Sequence, residues 1–173
     1  MTDDELLAHI RASGDTAAFG ELVRRHEVRI VTLLRRLTAG DRALADDLAQ
    51  ETFLAAFRHL ARFRGESTLA TWLVRIAVRQ YLSEVRKRRP EPVEQLDEAS
   101  DAVDLDARID LDRGLAHIRD EQRLALVLAH EHGMTHAEIA ELTGWPLGTV
   151  KTHANRGRAA LRAQLEEGND DRR

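Results

Sequence analysis

Apolar residues recur along most of this chain at intervals of three and four, the period of a helix buried along one face. Four helical segments are predicted before Pro90. The first, Thr2 to about Ala12, is short. Gly14-Asp15 reads as a stop followed by an N-cap, and a second helix runs to about Leu37, before Thr38-Ala39-Gly40. Asp41 caps a third, which continues to about Phe63 with an apolar stripe at Ala45, Ala49, Phe53, Ala56, Phe57 and Leu60. Arg64-Gly65-Glu66-Ser67 breaks it. Ser67 or Thr68 then caps a fourth helix, which buries Leu69, Leu73, Ile76 and Ala77 and ends in a basic cluster before Pro90.

Beyond Leu111 the same period returns. Two helices are predicted, to about Arg119 and from Asp120 to His132, the second with Leu124, Val127 and Leu128 inward and Gly133 at its end. Thr135-His136-Ala137-Glu138 fits a capping box and starts a short helix through Leu142. Thr143-Gly144-Trp145-Pro146 makes a turn, and a longer helix runs from about Leu147 to Gln164 with Val150, Ala154, Gly157 and Leu161 inward. Ala140, Gly144 and Val150 stand where a helix-turn-helix needs a small residue, a left-handed turn and a β-branched packing residue.

The 173 residues contain 4% aromatics, 32% charged residues and no cysteine, a balance that suits helices over sandwiches and excludes disulfides, thiolate metal sites and cysteine nucleophiles. No apolar run reaches the ~20 residues of a membrane span, and Met1-Thr2-Asp3-Asp4-Glu5 is unlike a signal peptide, so a cytoplasmic protein without membrane insertion is expected. The net charge of −4 hides strong segregation. Residues 75–89 sum to +5, residues 90–112 to −8, and Lys151–Arg162 holds four cations and no acid. The acidic stretch carries Pro90 and Pro92 and no aromatic, too little apolar surface to offset its ordering entropy. The expected architecture is all-α: an N-terminal helical bundle over 1–89, a flexible acidic linker over 90–108, and a C-terminal four-helix domain with a helix-turn-helix over 109–173.

Three surfaces carry candidate chemistry. On the third helix Asp47, Gln50, Glu51 and Leu54 share one face, either a solvated polar face or a docking surface for a basic partner groove. On the fourth, Trp72, Arg75, Arg79, Ser83 and Arg86 form one stripe. A tryptophan in a row of arginines suits single-stranded nucleic acid, the ring stacking on a base while guanidinium groups follow phosphates. A partly buried tryptophan under a snorkelling arginine fits the spacing equally well, and the adjoining Arg86-Lys87-Arg88-Arg89 cluster favours nucleic acid. On the last helix Thr149, Thr152, His153 and Arg156 face outward, flanked by Lys151, Asn155, Arg158 and Arg162: hydroxyls, an amide and arginine for base edges, cations for phosphates. His130, Glu131, His132 and His136 do not form a metal motif, because Gly133 interrupts the helix that would align them. No cofactor and no metal are expected.

In this order the segments Asp46–Leu54, Phe63–Ser67, Thr71–Ala77 and Thr135–Leu161, the last including Gly148-Thr149-Val150-Lys151-Thr152, resemble the extracytoplasmic-function (group IV) sigma factors of bacterial RNA polymerase, of the sigma-70 family. The resemblance spans about Phe19 to Leu165. It implies a promoter-specificity subunit without catalysis of its own. Asp47, Gln50, Glu51 and Leu54 would dock the clamp helices of the beta-prime subunit, and the beta flap would be a further polymerase contact. Arg64, Ser67, Thr68, Trp72, Arg75, Arg79, Arg86, Arg88 and Arg89 would melt and hold the −10 element as single strand. Thr149, Lys151, Thr152, His153, Asn155, Arg156 and Arg158 would read the −35 duplex. The linker would thread the polymerase cleft, and an anti-sigma factor is an expected partner. Leu69, Arg79, Ser83, Trp145 and His153 depart from the family's usual residues, which bears on promoter sequence rather than architecture. An autonomous helix-turn-helix regulator with an N-terminal sensing domain is the alternative reading, and a His-based metal hydrolase or an adaptor are more distant ones.

Overall fold

The structure is a computed structural model that describes residues 1–88 and 107–170, with side chains over 1–88 and 111–166. Eight α-helices are found among them: α1 (Asp3–Ser13), α2 (Thr16–Leu37), α3 (Arg42–His59), α4 (Leu69–Arg88), α5 (Ala107–Ala116), α6 (Asp120–His130), α7 (His136–Thr143) and α8 (Leu147–Asp170). No strand occurs among the described residues. Most of the expected acidic linker, and Arg89, lie outside them.

The local signals act as their chemistry dictates. Thr2 and Glu5 form a reciprocal capping box on α1, and Gly14 ends it in the left-handed region at φ 68°. Asp15 accepts the amides of Ala17 and Ala18, and Asp41 accepts that of Leu44. Of the two candidate caps for α4, Thr68 is the one used: its hydroxyl accepts the Thr71 amide at 3.1 Å. The third helix stops earlier than expected. It ends at His59, and Leu60–Arg62 tighten into one 3-10 turn before the loop.

α1 to α4 pack around Leu22, Ile30, Leu33, Leu34, Leu73 and Val74. Phe57, expected in the core, is instead 40% exposed, its ring edge-on to Phe19 with centroids 4.9 Å apart. α5 to α8 pack around Leu115, Leu124, Leu128, Ile139 and Val150. Gly157 is where α8 meets α6: a Cβ there would lie 2.7 Å from the Gln122 carbonyl oxygen.

The two halves also pack on each other, through polar groups that no periodicity announces. Thr38 and Gly40 amides take the Leu34 and Arg35 carbonyls at the end of α2, leaving that of Leu37. Arg123 of α6, 2% exposed, donates to it from Nε at 3.2 Å and Nη2 at 2.9 Å. The same guanidinium donates to the Leu115 and Ile118 carbonyls and pairs with Asp120. Arg36 of α2 bridges Asp112 and Glu131. Burial opposes its charge, but those two carboxylates outweigh burial and raise its pKa above the ordinary value. Arg29 approaches Nδ1 of His132 at 3.4 Å. Burial, then the charges of Arg29 and Arg36, push the His132 pKa down to about 4, so this imidazole is neutral at pH 7.

Candidate nucleic-acid interface

Three surfaces follow from this packing. The first is the outer face of α3. Because Ala45, Leu48, Ala49, Thr52, Phe53 and Ala56 turn inward, Asp47, Gln50, Glu51 and Leu54 are all left in solvent, with Leu54 42% exposed. Beside it an apolar cleft of about 800 Å3 opens between α2 and α3, lined by Val28, Val31, Phe53, Leu54 and Phe57. Val28 is 76% exposed at its rim. The α2 wall of this cleft was not among the sequence candidates. A valine on the polar face of α2 was the available signal.

The second surface is the loop after α3 with the first turns of α4. Phe63 is buried, and its ring meets Trp72 at 5.1 Å between centroids, tilted by 44°. Trp72 is half-buried by this contact and keeps part of its ring on a cavity of about 630 Å3 walled by Phe63, Arg64, Ser67, Trp72 and Arg75. Arg62 and Glu66 join that wall, and neither was among the sequence candidates; of the whole lining, stripe spacing on α4 reaches only Trp72 and Arg75. Gly65 turns the loop in the left-handed region at φ 76°, which a side chain would resist. Arg64 and Thr68 are exposed, although the Thr68 hydroxyl is engaged as a cap. Arg79, Arg86 and Arg88 are exposed further along α4. Arg86 donates to the Leu82 carbonyl and Arg88 to Glu84 at 2.8 Å.

Arg75 differs from its neighbours on this stripe. Its guanidinium donates to Glu138 of α7 at 3.2 Å, and the side chain is 30% exposed. Glu138 is the reciprocal residue of the α7 capping box. The Thr135 amide and hydroxyl lower its pKa most, and Arg75 lowers it further.

The third surface is the helix-turn-helix. Thr135 caps α7, Gly144 ends it at φ 76°, and Val150 and Ile139 are fully buried where the two helices cross. This leaves Lys151, Thr152, Asn155, Arg156 and Arg158 exposed on α8 and Thr149 half-buried at its start. Thr152 returns its hydroxyl proton to the Gly148 carbonyl at 2.9 Å. His153 is turned partly inward. Its ring packs against Trp145 at 5.2 Å, and its Nδ1 is buried without a hydrogen-bond partner. Burial, aided by Arg156 and opposed by Glu121, lowers its pKa. The Trp145 ring in the turn supplies that burial, a contact eight residues apart that helical spacing within α8 does not reveal.

Among the described residues no group of histidines and carboxylates could hold a metal ion, and no helix is long and apolar enough to cross a membrane.

Two families match the chain in succession: Sigma-70 region 2 over residues 22–91 and Sigma-70, region 4 over residues 108–161. The ECF RNA polymerase sigma factor SigM of Mycobacterium tuberculosis is 35% identical over 164 residues, covering 92% of this chain and 83% of that protein. Among solved structures, CnrH in complex with the cytosolic domain of CnrY superposes with a TM-score of 0.63 at 30% identity, over 95% of this chain and 97% of that one. The fold is shared as well with the sigma factor RpoE of Bartonella quintana, solved in complex with the anti-sigma factor NepR, at a TM-score of 0.65 and 24% identity over 86% of this chain and 96% of that one. The order of exposed acidic helix, aromatic–arginine cavity and helix-turn-helix is thus the order of sigma regions 2 and 4, and the chain belongs to the ECF RNA polymerase sigma factors, which direct promoter recognition and transcription initiation.

Proposed function

We propose that residues 1–89 dock core polymerase and open the −10 element, that residues 109–173 read the −35 element as duplex, and that residues 90–108 connect them through the polymerase cleft. The observation that carries this reading is the cavity bounded by Phe63, Trp72, Arg64, Ser67 and Arg75, which sets an aromatic face beside cations and a hydroxyl with room for an unpaired base. Asp47, Gln50, Glu51 and Leu54 meet the beta-prime clamp helices, their acidity matching a basic partner. Promoter DNA meets Arg64, Ser67, Thr68, Trp72, Arg75, Arg79, Arg86, Arg88 and Arg89 as single strand. It meets Thr149, Lys151, Thr152, Asn155, Arg156 and Arg158 in the major groove, with His153 beside them held by Trp145. The beta flap and an anti-sigma factor complete the partners, and the protein works in the cytoplasm.

The chain catalyses nothing in this reading. Strand opening is driven by binding: capturing unpaired bases offsets an unstacking cost of a few kcal/mol per step. Arg75 engages Glu138 in the arrangement described, so DNA entry at α4 requires that α7 leave it. Polymerase binding and the reach of the connector supply that separation and fix the distance between the two DNA-binding bodies.

The test is run-off transcription with core polymerase, followed by permanganate footprinting of Trp72→Ala. The expected result is promoter-specific transcripts from the native protein and, in the variant, normal polymerase binding with loss of thymine reactivity across the −10 element. Wild-type reactivity in Trp72→Ala would remove the base-capture role.

A further inference from the structure

α1 precedes the stretch matched to region 2, which begins at residue 22, and no individual residue given a role above lies on it. Its last turn nevertheless reaches the cavity wall. Arg11 donates from Nη2 to the main-chain carbonyl of Phe63, 52 residues away, and its guanidinium carbon lies 6.0 Å from the centroid of the Phe63 ring. Phe63 in turn is the ring against which Trp72 rests. The three side chains form a row: cation, phenyl ring, indole.

The far end of that row is firmly held. Leu6, Leu7 and Ile10 are buried against the bundle, the α1 N-terminus carries its full capping box, and Asp3 pairs with Arg25 and His26 of α2. The loop it grips lies between the 3-10 turn and α4 and turns through Gly65 in the left-handed region. A charge-assisted bond to its first carbonyl and a cation over its buried ring therefore fix the wall of the cavity from outside. We propose that Arg11 is a positioning residue for base capture: by gripping Phe63 through carbonyl and ring, it holds Trp72 at the angle at which an unpaired base stacks. This rests on the base-capture reading of the cavity. It gives a residue of α1 a part in promoter opening.

The test compares holoenzymes reconstituted with native protein, Arg11→Ala, Arg11→Lys, Trp72→Ala and the Arg11→Ala/Trp72→Ala double variant. Two probes come from one promoter selected by run-off from a random-sequence library: a fork whose non-template strand is single across the −10 element, and the fully paired −35 fragment. Arg11→Ala is expected to weaken fork binding about fivefold, the size of a lost cation–π contact, and to leave −35 binding unchanged. Arg11→Lys, which keeps the cation and one donor, should recover to within about twofold. The double variant should bind the fork no more weakly than Trp72→Ala, since the grip acts only through that ring.

Native fork affinity in Arg11→Ala overturns the proposal while leaving the cavity reading intact, provided Trp72→Ala is defective. Fork binding unaffected by Trp72→Ala overturns both. Equal losses on fork and duplex, with a lowered unfolding temperature and no recovery in Arg11→Lys, reduce Arg11 to a structural residue and overturn it as well.

Discussion

The outer face of α3 and the stripe on α4 lie on adjacent helices of the same bundle, yet they stand in opposite relation to their surroundings. On α3 the acidic residues Asp47 and Glu51 and the apolar Leu54 are open to solvent, with an apolar cleft beside them. On α4 the central cation, Arg75, is engaged by Glu138 from the far half of the chain, and Trp72 is half-covered by Phe63. The surface assigned to polymerase is ready and the surface assigned to DNA is partly occupied. Under the proposed function that difference would order the events, docking on α3 preceding DNA capture on α4, because only the second requires Glu138 to leave Arg75.

The strongest challenge to this ordering reverses charge on the open face. Asp47→Arg with Glu51→Arg puts like charge against a basic partner, a penalty of about 3 kcal/mol or more, or a loss of over about a hundredfold in affinity. Co-elution with core polymerase should vanish while the unfolding temperature stays near the native value, as both residues are exposed. Undiminished co-elution would mean that α3 is not the docking face.

Next in size is the joint between the halves. Arg123→Ala leaves the carbonyls of Leu37, Leu115 and Ile118 without their buried donor and exposes Asp120 to a lost partner. A cost of about 3 kcal/mol is expected from breaking a buried charged cluster on one side. It should appear as a lower unfolding temperature in calorimetry and a larger radius of gyration in small-angle scattering. A variant that unfolds natively and stays as compact would show that Arg123 does not hold the halves together.

This joint marks the boundary of what the sequence makes legible. Caps, stops and the helix-turn-helix core are local events, written in residues a few positions apart: Thr2 with Glu5, Asp15 with Ala18, Thr135 with Glu138, Gly144 at its turn. The α4 stripe and the α3 face follow from helical period alone. Arg36 with Glu131, Arg123 with Leu37 and Arg75 with Glu138 join residues 63 to 95 positions apart, and an arginine on a helix surface looks the same in sequence whether it meets water or a carboxylate. Phe57 was misplaced for a related reason. It keeps the spacing of the buried stripe but falls at the stripe's edge, where the α2–α3 cleft leaves it half in solvent. His153 keeps the spacing of the outward row, and only the Trp145 ring, contributed by the turn, draws it in.

Acidification probes the joint at a single group. His132 is faced by Arg29 and Arg36 from α2, with Glu131 beside it just past the end of α6 and Asp112 of α5 also paired with Arg36. Its pKa is about 4 in this arrangement against 6.5 when free, so the packed form favours the neutral ring. The packing is therefore fully supported above pH 6.5 and weakens as pH falls from there toward 4. The expected outcome is a rise in interhalf distance by fluorescence transfer between pH 7.5 and 5.5, flattened in His132→Gln. His132 is partly exposed, which softens the effect relative to Arg123→Ala. An equal rise in His132→Gln would assign the response to other groups.

The finest test removes one charge and nothing else. Glu138→Gln keeps the α7 capping box, because glutamine serves at that position as glutamate does. What it loses is charge: the ionic part of the pair with Arg75 and of the bonds it accepts from Thr135 within its own cap, only the first of which reaches α4. Partly exposed pairs of this kind contribute about 0.2–1 kcal/mol, so α4 should be freed by no more than about fivefold. The reporter is the protein alone with a single-stranded −10 oligonucleotide at low salt, where the native chain binds weakly. Glu138→Gln should bind up to about fivefold more tightly, and the gain should shrink as salt screens what remains of the pair. Holoenzyme affinity for the same strand should not change, since polymerase has by then drawn the halves apart. If Glu138→Gln instead improves the free protein and the holoenzyme alike, the carboxylate repels DNA in both and the occupied face of α4 is not what distinguishes it from α3.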